Sequence, residues 1–281
     1  MGAHNGSTGL RRQLSRRLKL LREQAGLTLD EAAPALDWST SKLSRIENAD
    51  QLVDVHGVRS MLDLYGVGGE RWTELIELTR AARQRGWWRA YGLDDKGYVP
   101  LEAEASLVRD FTVCFVPGLL QTADYARALF QASLTRRTDE QLENTIAVRM
   151  IRQRRLTSTD DRLELVAIVD ESVLHRPIGG RAVMVEQLAE LIRAAALDTV
   201  TLQVLPTSVG AHPAMTGVFT ALSFGEHSAP DMVYVEHPMG AIHLNKERDA
   251  ARATLVFDRL RSDALSPADS VTLIRQVAEW Y

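Results

Sequence analysis

The stretch STSKLSRIEN, residues 39–48, sets short hydroxyl and amide side chains beside single cationic ones. On a helix turning about 100° per residue, Leu43 and Ile46 fall on one side. Ser41, Ser44, Arg45 and Asn48 fall on the opposite side, with Thr40 at the N-terminus and Lys42 on a flank. Arginine presents donors shaped for guanine O6 and N7, and serine or threonine can meet several base edges. The polar face therefore has the chemistry to read a DNA major groove, while the apolar face seats on another helix. Lys42, Thr28 and the first-helix residues Arg11, Arg12 and Arg16 are better placed to meet phosphates, which fix register without reading sequence. A solvated face on a plain helical bundle would look the same, so periodicity alone leaves both readings open.

Charge distribution bears on this choice. The chain of 281 residues carries a formal charge of -4, which opposes DNA binding if it is spread evenly. It is not: residues 1–22 hold six basic residues and no acidic one, leaving 27 basic and 37 acidic residues for the rest. The local field a phosphate feels is set by that distribution and not by the total. A single cysteine, Cys114, excludes an intramolecular disulfide and a cysteine-based zinc cage; its apolar neighbours in FTVCFVPG predict a buried thiol. No apolar stretch reaches the length of a signal peptide or membrane span, so a cytoplasmic location is expected.

The elements that would carry these residues divide into two groups. Leu10, Leu14, Leu18 and Leu21 form one helical stripe ended by Gly26, and Thr28–Glu31 is a T-x-x-E capping box opening a second, short helix that Pro34 should kink or curtail. Ser39 or Thr40 caps the third, and two more helices follow. This predicts an all-α domain over residues 8–85, a linker over 86–98 and a larger α/β or α+β domain over 99–281 with a mixed sheet. In that domain LEAEASLVRDF, TADYARALFQASL and a long region ending near Arg155 read as helices. LELVAIV, TVTLQVLP, GVFTALSF, DMVYVEH and GAIHL read as strands, and two helices close the chain.

Residues 10–65 resemble the Xre/Cro-type helix-turn-helix family. The resemblance lies in the arginine-rich first helix ending LREQAGLT, in EAA, and in STSKLSRIEN. It implies about five helices working as a dimer on a two-fold-related site, with Thr40, Ser41 and Arg45 as base readers and Lys42 and Asn48 nearby. Leu29 departs from a family position usually held by a phosphate-contacting glutamine. Pro34 interrupts the second helix, and Asp37 and Ala49 stand at turns that are often glycine.

The segments PGLLQTADYAR, RMIRQRRL, VDESVLHRPIGG, QVLP and YVEH resemble the C-terminal domain of WhiJ-like actinobacterial regulators. That resemblance implies transcriptional control with a homodimer, a possible small partner protein encoded nearby and a possible small-molecule effector. An antitoxin-like protein that neutralises its small partner, with DNA binding for autoregulation, is the alternative it implies.

Bottom-up, Glu102, Gln121, Thr122, Tyr125, Arg149, Arg152 and His212 are the candidates for lining a ligand or partner site, against packing as the plainer reading. Arg149, Arg152, Arg154 and Arg155 read either as a solvated basic face with intramolecular ion pairs or as a second phosphate contact or acidic-partner surface. His175, His212, His227, His237 and His243 are too dispersed for a metal site. With no Walker lysine, G-x-G-x-x-G or G-x-S-x-G, neither a cofactor nor an enzyme activity is expected.

Overall fold

The computed structural model describes residues 7–83, 86–94, 97–225 and 231–281. His227 lies outside them. Five helices come first: α1 (Ser7–Gln24), α2 (Leu29–Ala35), α3 (Thr40–Glu47), α4 (Val55–Leu64) and α5 (Gly69–Ala82). The leucine stripe of α1 closes on Ala32, Leu43, Ile46, Met61 and Leu75 to make one core. Thr28 and Glu31 form the reciprocal capping box: the Thr28 N–H donates to Glu31 Oε2 at 2.8 Å and the Glu31 N–H to Thr28 Oγ1 at 3.3 Å. Ser39 caps α3 by accepting from the Lys42 N–H. Pro34 is accommodated because α2 ends one residue later. Asp37 and Ala49 both take left-handed backbone, with φ of 55° and 63°, a conformation that costs a residue bearing a Cβ about 1–2 kcal/mol.

Residues 87–91 form a 3-10 turn that buries Trp88 completely. The remaining elements follow in the order α6 (Tyr98–Glu102), β1 (Leu107–Thr112), α7 (Ala123–Ala132), α8 (Asp139–Gln153), β2 (Glu164–Asp170), α9 (Ser172–His175), α10 (Arg181–Ala194), β3 (Val200–Leu205), β4 (Phe219–Ser223), β5 (Met232–His237), β6 (Gly240–Leu244), α11 (Glu247–Asp263) and α12 (Pro267–Trp280). They build a six-stranded mixed sheet in the order β3-β2-β1-β4-β5-β6. β1, β2 and β3 are parallel; β4, β5 and β6 continue the sheet antiparallel. The chain is thus an all-helical first region followed by a mixed α/β domain. Val108, Leu165 and Leu202 point to a core that includes Tyr125, Leu188 and Ile274, whereas Phe111 and Ile168 meet Phe257 and Leu260 on the opposite face.

Two expectations are corrected here. LEAEASLVRDF is not a helix: only its first residues are helical, and Leu107–Thr112 is a central strand. Its charged residues concealed it, but both find partners within the sheet. Arg109 Nη1 donates to Ser223 Oγ at 3.1 Å, and Thr220 Oγ1 donates to Asp110 Oδ1 at 3.0 Å. Cys114 is exposed, not buried, because β1 ends at Thr112 and the following turn carries Cys114 and Phe115 outward.

Candidate nucleic-acid interface

In α3, Leu43 and Ile46 are almost wholly buried, while Ser41, Arg45 and Asn48 are exposed and Thr40, Lys42 and Ser44 half-buried. Arg45 Nε donates back to the Ser41 carbonyl at 3.3 Å, and Asn48 Nδ2 lies 3.4 Å from Ser44 Oγ. The four residues therefore form one continuous polar row. Thr40 stands at the start of the helix, where its hydroxyl donates to Asp30 at 3.3 Å. Lys42 Nζ rests 3.9 Å from the centroid of the Trp38 ring, a cation–π contact that holds the ammonium beside the row. Trp38 can lie there because α4 offers Gly57, where a Cβ would come within 3.1 Å of the ring.

The end of α3 is anchored by a pair the sequence reading did not single out. Arg22 donates from Nε and Nη2 to the two Glu47 oxygens at 2.7 and 2.9 Å, and from Nη1 to the Leu27 carbonyl at 2.6 Å. The hydrogen bond to Glu47 raises the Arg22 pKa above its ordinary value. Of the basic residues of α1, Arg16 is exposed, whereas Arg11 Nε donates to the Ala82 carbonyl at 3.0 Å. Arg12 reaches across to β5, its Nη1 3.9 Å from Met232 Sδ, and burial lowers its pKa, with Glu104 opposing. Arg12 therefore ties α1 to the second domain. Thr28 serves as the α2 cap.

The seven candidates in the second domain do not form one site. Thr122 caps α7, its N–H bonded to Gln187; Tyr125 is core, its hydroxyl accepting from the Val116 N–H at 3.2 Å. His212 packs edge-on against Phe111, on the other face of the sheet. Glu102, Gln121, Arg149 and Arg152 do come together. Arg152 donates to both Glu102 oxygens at 2.6 and 2.5 Å, and Arg149 Nη1 to Gln121 Oε1 at 2.5 Å. Arg155 binds the Glu102 and Ala105 carbonyls. The basic run of α8 thus makes the intramolecular ion pairs expected of it, Arg152 with Glu102 and Arg155 with Asp161, but is turned largely inward, with Arg154 alone of the four exposed. Burial, then the neighbouring Arg152, lowers the Arg149 pKa to about 10. A cavity of about 320 Å³ beside this cluster is lined by Trp87, Glu102, Arg152, Arg154 and Asp161 among others. Among the described residues no group of three or more His, Cys, Asp or Glu is arranged to hold a metal.

Asp110 projects into the same cluster, and sequence reasoning passed over it. Burial raises its pKa to about 6 against the Thr220 hydrogen bond; Glu102 and Glu236 push the same way and Arg152 opposes. Because the folded-state value exceeds the ordinary one, Asp110 contributes stability that is present in acid and lost as pH rises through about 6. Asp110→Asn is therefore expected to be neutral near pH 4 and to stabilise by about 1–3 kcal/mol at pH 8. Melting curves for the two proteins that stay parallel from pH 4 to 8 would contradict this.

The fold and the polar row of α3 define a helix-turn-helix protein, and comparison with known families agrees: residues 13–75 match a helix-turn-helix domain. Residues 96–276 match the family described as a domain of unknown function, DUF5753, and the chain belongs to it. No match was found among curated proteins or among solved structures. The helix-turn-helix domain points to DNA binding and transcriptional regulation. No helix among the described residues is long and apolar enough to cross a membrane.

Proposed function

We propose that the chain is a cytoplasmic, sequence-specific transcriptional regulator of the WhiJ-like group. In this reading it docks on double-stranded operator DNA through α3 and acts as a homodimer. The observation that carries it is the division of α3: Leu43 and Ile46 are buried beneath a row of Ser41, Ser44, Arg45 and Asn48. Such a helix can enter a major groove without disturbing its own core. Thr40 stands at the end that would enter first. Phosphate contacts fall to Arg11, Arg12, Arg16, Thr28 and Lys42, with the Arg11 and Arg12 guanidinium groups also in contact within the protein. The second domain is assigned dimerisation and the reception of a small molecule or small partner protein, and no catalytic step.

The test is binding of the purified protein to DNA from upstream of its own gene, beside DNA of random sequence, across a salt titration. Affinity for the upstream fragment at least ~10³ above random DNA is expected, the lower range for specific readers. Equal affinities that fall together with salt would report phosphate attraction alone and contradict the reading.

A further inference from the structure

The two edges of the sheet are finished differently. At the β3 edge the Val204 N–H donates to Ser270 Oγ at 2.9 Å, and the Leu265 N–H donates to the Val204 carbonyl at 2.9 Å. Gln203 Nε2 reaches the Leu265 carbonyl at 2.7 Å. The segment joining α11 to α12 thus closes that edge. At the other edge β6 has no strand neighbour on its outer side among the described residues, and Gly240 through Leu244 are all exposed, Ile242 by 48% and Leu244 by 36%. Open edges are ordinarily blunted by lysine, proline, a bulge or a covering segment. β6, with the sequence GAIHL, contains neither charge nor proline.

The hairpin register fixes which groups face outward. β5 and β6 turn through Pro238-Met239, with His237 opposite Gly240, Val235 opposite Ile242 and Val233 opposite Leu244. The residues closing a two-residue hairpin exchange both main-chain bonds, and alternation then aims the N–H and C=O of Ala241 and His243 away from β5.

We propose that β6 pairs antiparallel with β6 of a second copy of this chain, about a two-fold axis through Ile242. This inference rests on the dimeric reading above and names its interface. In that register Ala241 and His243 exchange main-chain bonds with His243 and Ala241 of the second copy, giving four hydrogen bonds and one continuous sheet. Ile242 meets its own copy on the axis. Gly240 lies opposite Leu244, and Ala241 opposite His243, so a small side chain faces a large one at each pair beside the axis. The strand is complementary to itself, as an isologous contact requires. It places two helix-turn-helix domains in a two-fold relation, which paired half-sites need.

The test measures mass by light scattering and cross-linking in a Cys114→Ser background. Wild type is expected to be a two-chain species. Ile242→Lys sets like charges against each other on the axis and should weaken association roughly 100-fold or more, with circular dichroism unchanged and a melting temperature that no longer depends on protein concentration. Ile242→Cys should oxidise to a covalent dimer, because a non-hydrogen-bonded pair brings Cα atoms to about 4.5 Å, within disulfide range. Leu244→Cys, opposite Gly240, should not. A one-chain wild type, an Ile242→Lys variant that stays dimeric, or cross-linking at position 244 in place of 242 would overturn the interface. Operator discrimination by a protein that fails these tests would leave the α3 reading standing, and a dimer through β6 that ignores operator sequence would leave the interface standing.

Discussion

Replacing Glu47 with alanine is expected to destabilise the first domain by about 3–5 kcal/mol, the cost of leaving one partner of a buried ion pair uncompensated. Arg22 and Glu47 expose only 7% and 3% of their side chains, so the abandoned guanidinium cannot regain water without opening the junction of α1 and α3. A domain stable by 5–15 kcal/mol loses much of its margin in that step. The double variant Arg22→Met, Glu47→Leu removes both charges and should recover most of the loss, because the pair's desolvation cost disappears with it. Urea unfolding gives the magnitudes, and hydrogen exchange shows whether the lost protection lies in α1 and α3. A single variant costing under about 1 kcal/mol, or a double variant no better than the single, would show the pair to be dispensable. The functional link is direct, since Glu47 lies beside Ile46 and Asn48 and pins the C-terminal end of the polar row to α1.

Glu102→Ala is expected to cost the second domain a comparable ~3–5 kcal/mol. Arg152 is 7% exposed and Glu102 1%, and Arg149 stands close enough to lower its own pKa further in response to the Arg152 charge. Without Glu102, two guanidinium groups share a buried site whose remaining attractive carboxylates include Asp110 and Glu236. The variant's loss in melting temperature should therefore shrink as pH rises through about 6, where ionised Asp110 partly compensates Arg152, and exchange should quicken in α6 and α8. A loss confined to α1–α5 would contradict this placement. The same cluster adjoins the Trp87-lined cavity, so a loosened α8 would also reach the segment joining the two domains.

The first domain was legible in the sequence because its signals are local. A leucine every third or fourth residue, a T-x-x-E box and a serine before a helix each act within one or two turns, and α2 and α3 begin where their caps indicate. The polar row of α3 was legible for the same reason. What escaped depended on distant partners. β1 looked helical because Arg109 and Asp110 read as surface residues, and only Ser223 and Thr220, more than a hundred positions away, make them tolerable in a central strand. The inward turn of Arg152 needed Glu102, 50 residues earlier. Nothing local to α1 shows that Met232 lies beside Arg12. Arg22–Glu47 was within reach: a glutamate on the apolar side of α3, beside Ile46, calls for a buried cation.

A sequence-reading α3 depends on Arg45, the arginine of its polar row, and Arg45→Ala removes that side chain. The variant's affinity for the upstream fragment and for random DNA should be measured beside the wild type at several salt concentrations. Among the described residues the Arg45 side chain bonds to the Ser41 carbonyl of its own helix, and the backbone bonds that Asp50 and Gln51 make to the Arg45 carbonyl survive the substitution, so the variant should fold normally. It should lose about 1–3 kcal/mol of discrimination while keeping most of its non-specific binding. An Arg45→Ala protein that tells the operator from random DNA as well as the wild type does would show that α3 does not read sequence through Arg45.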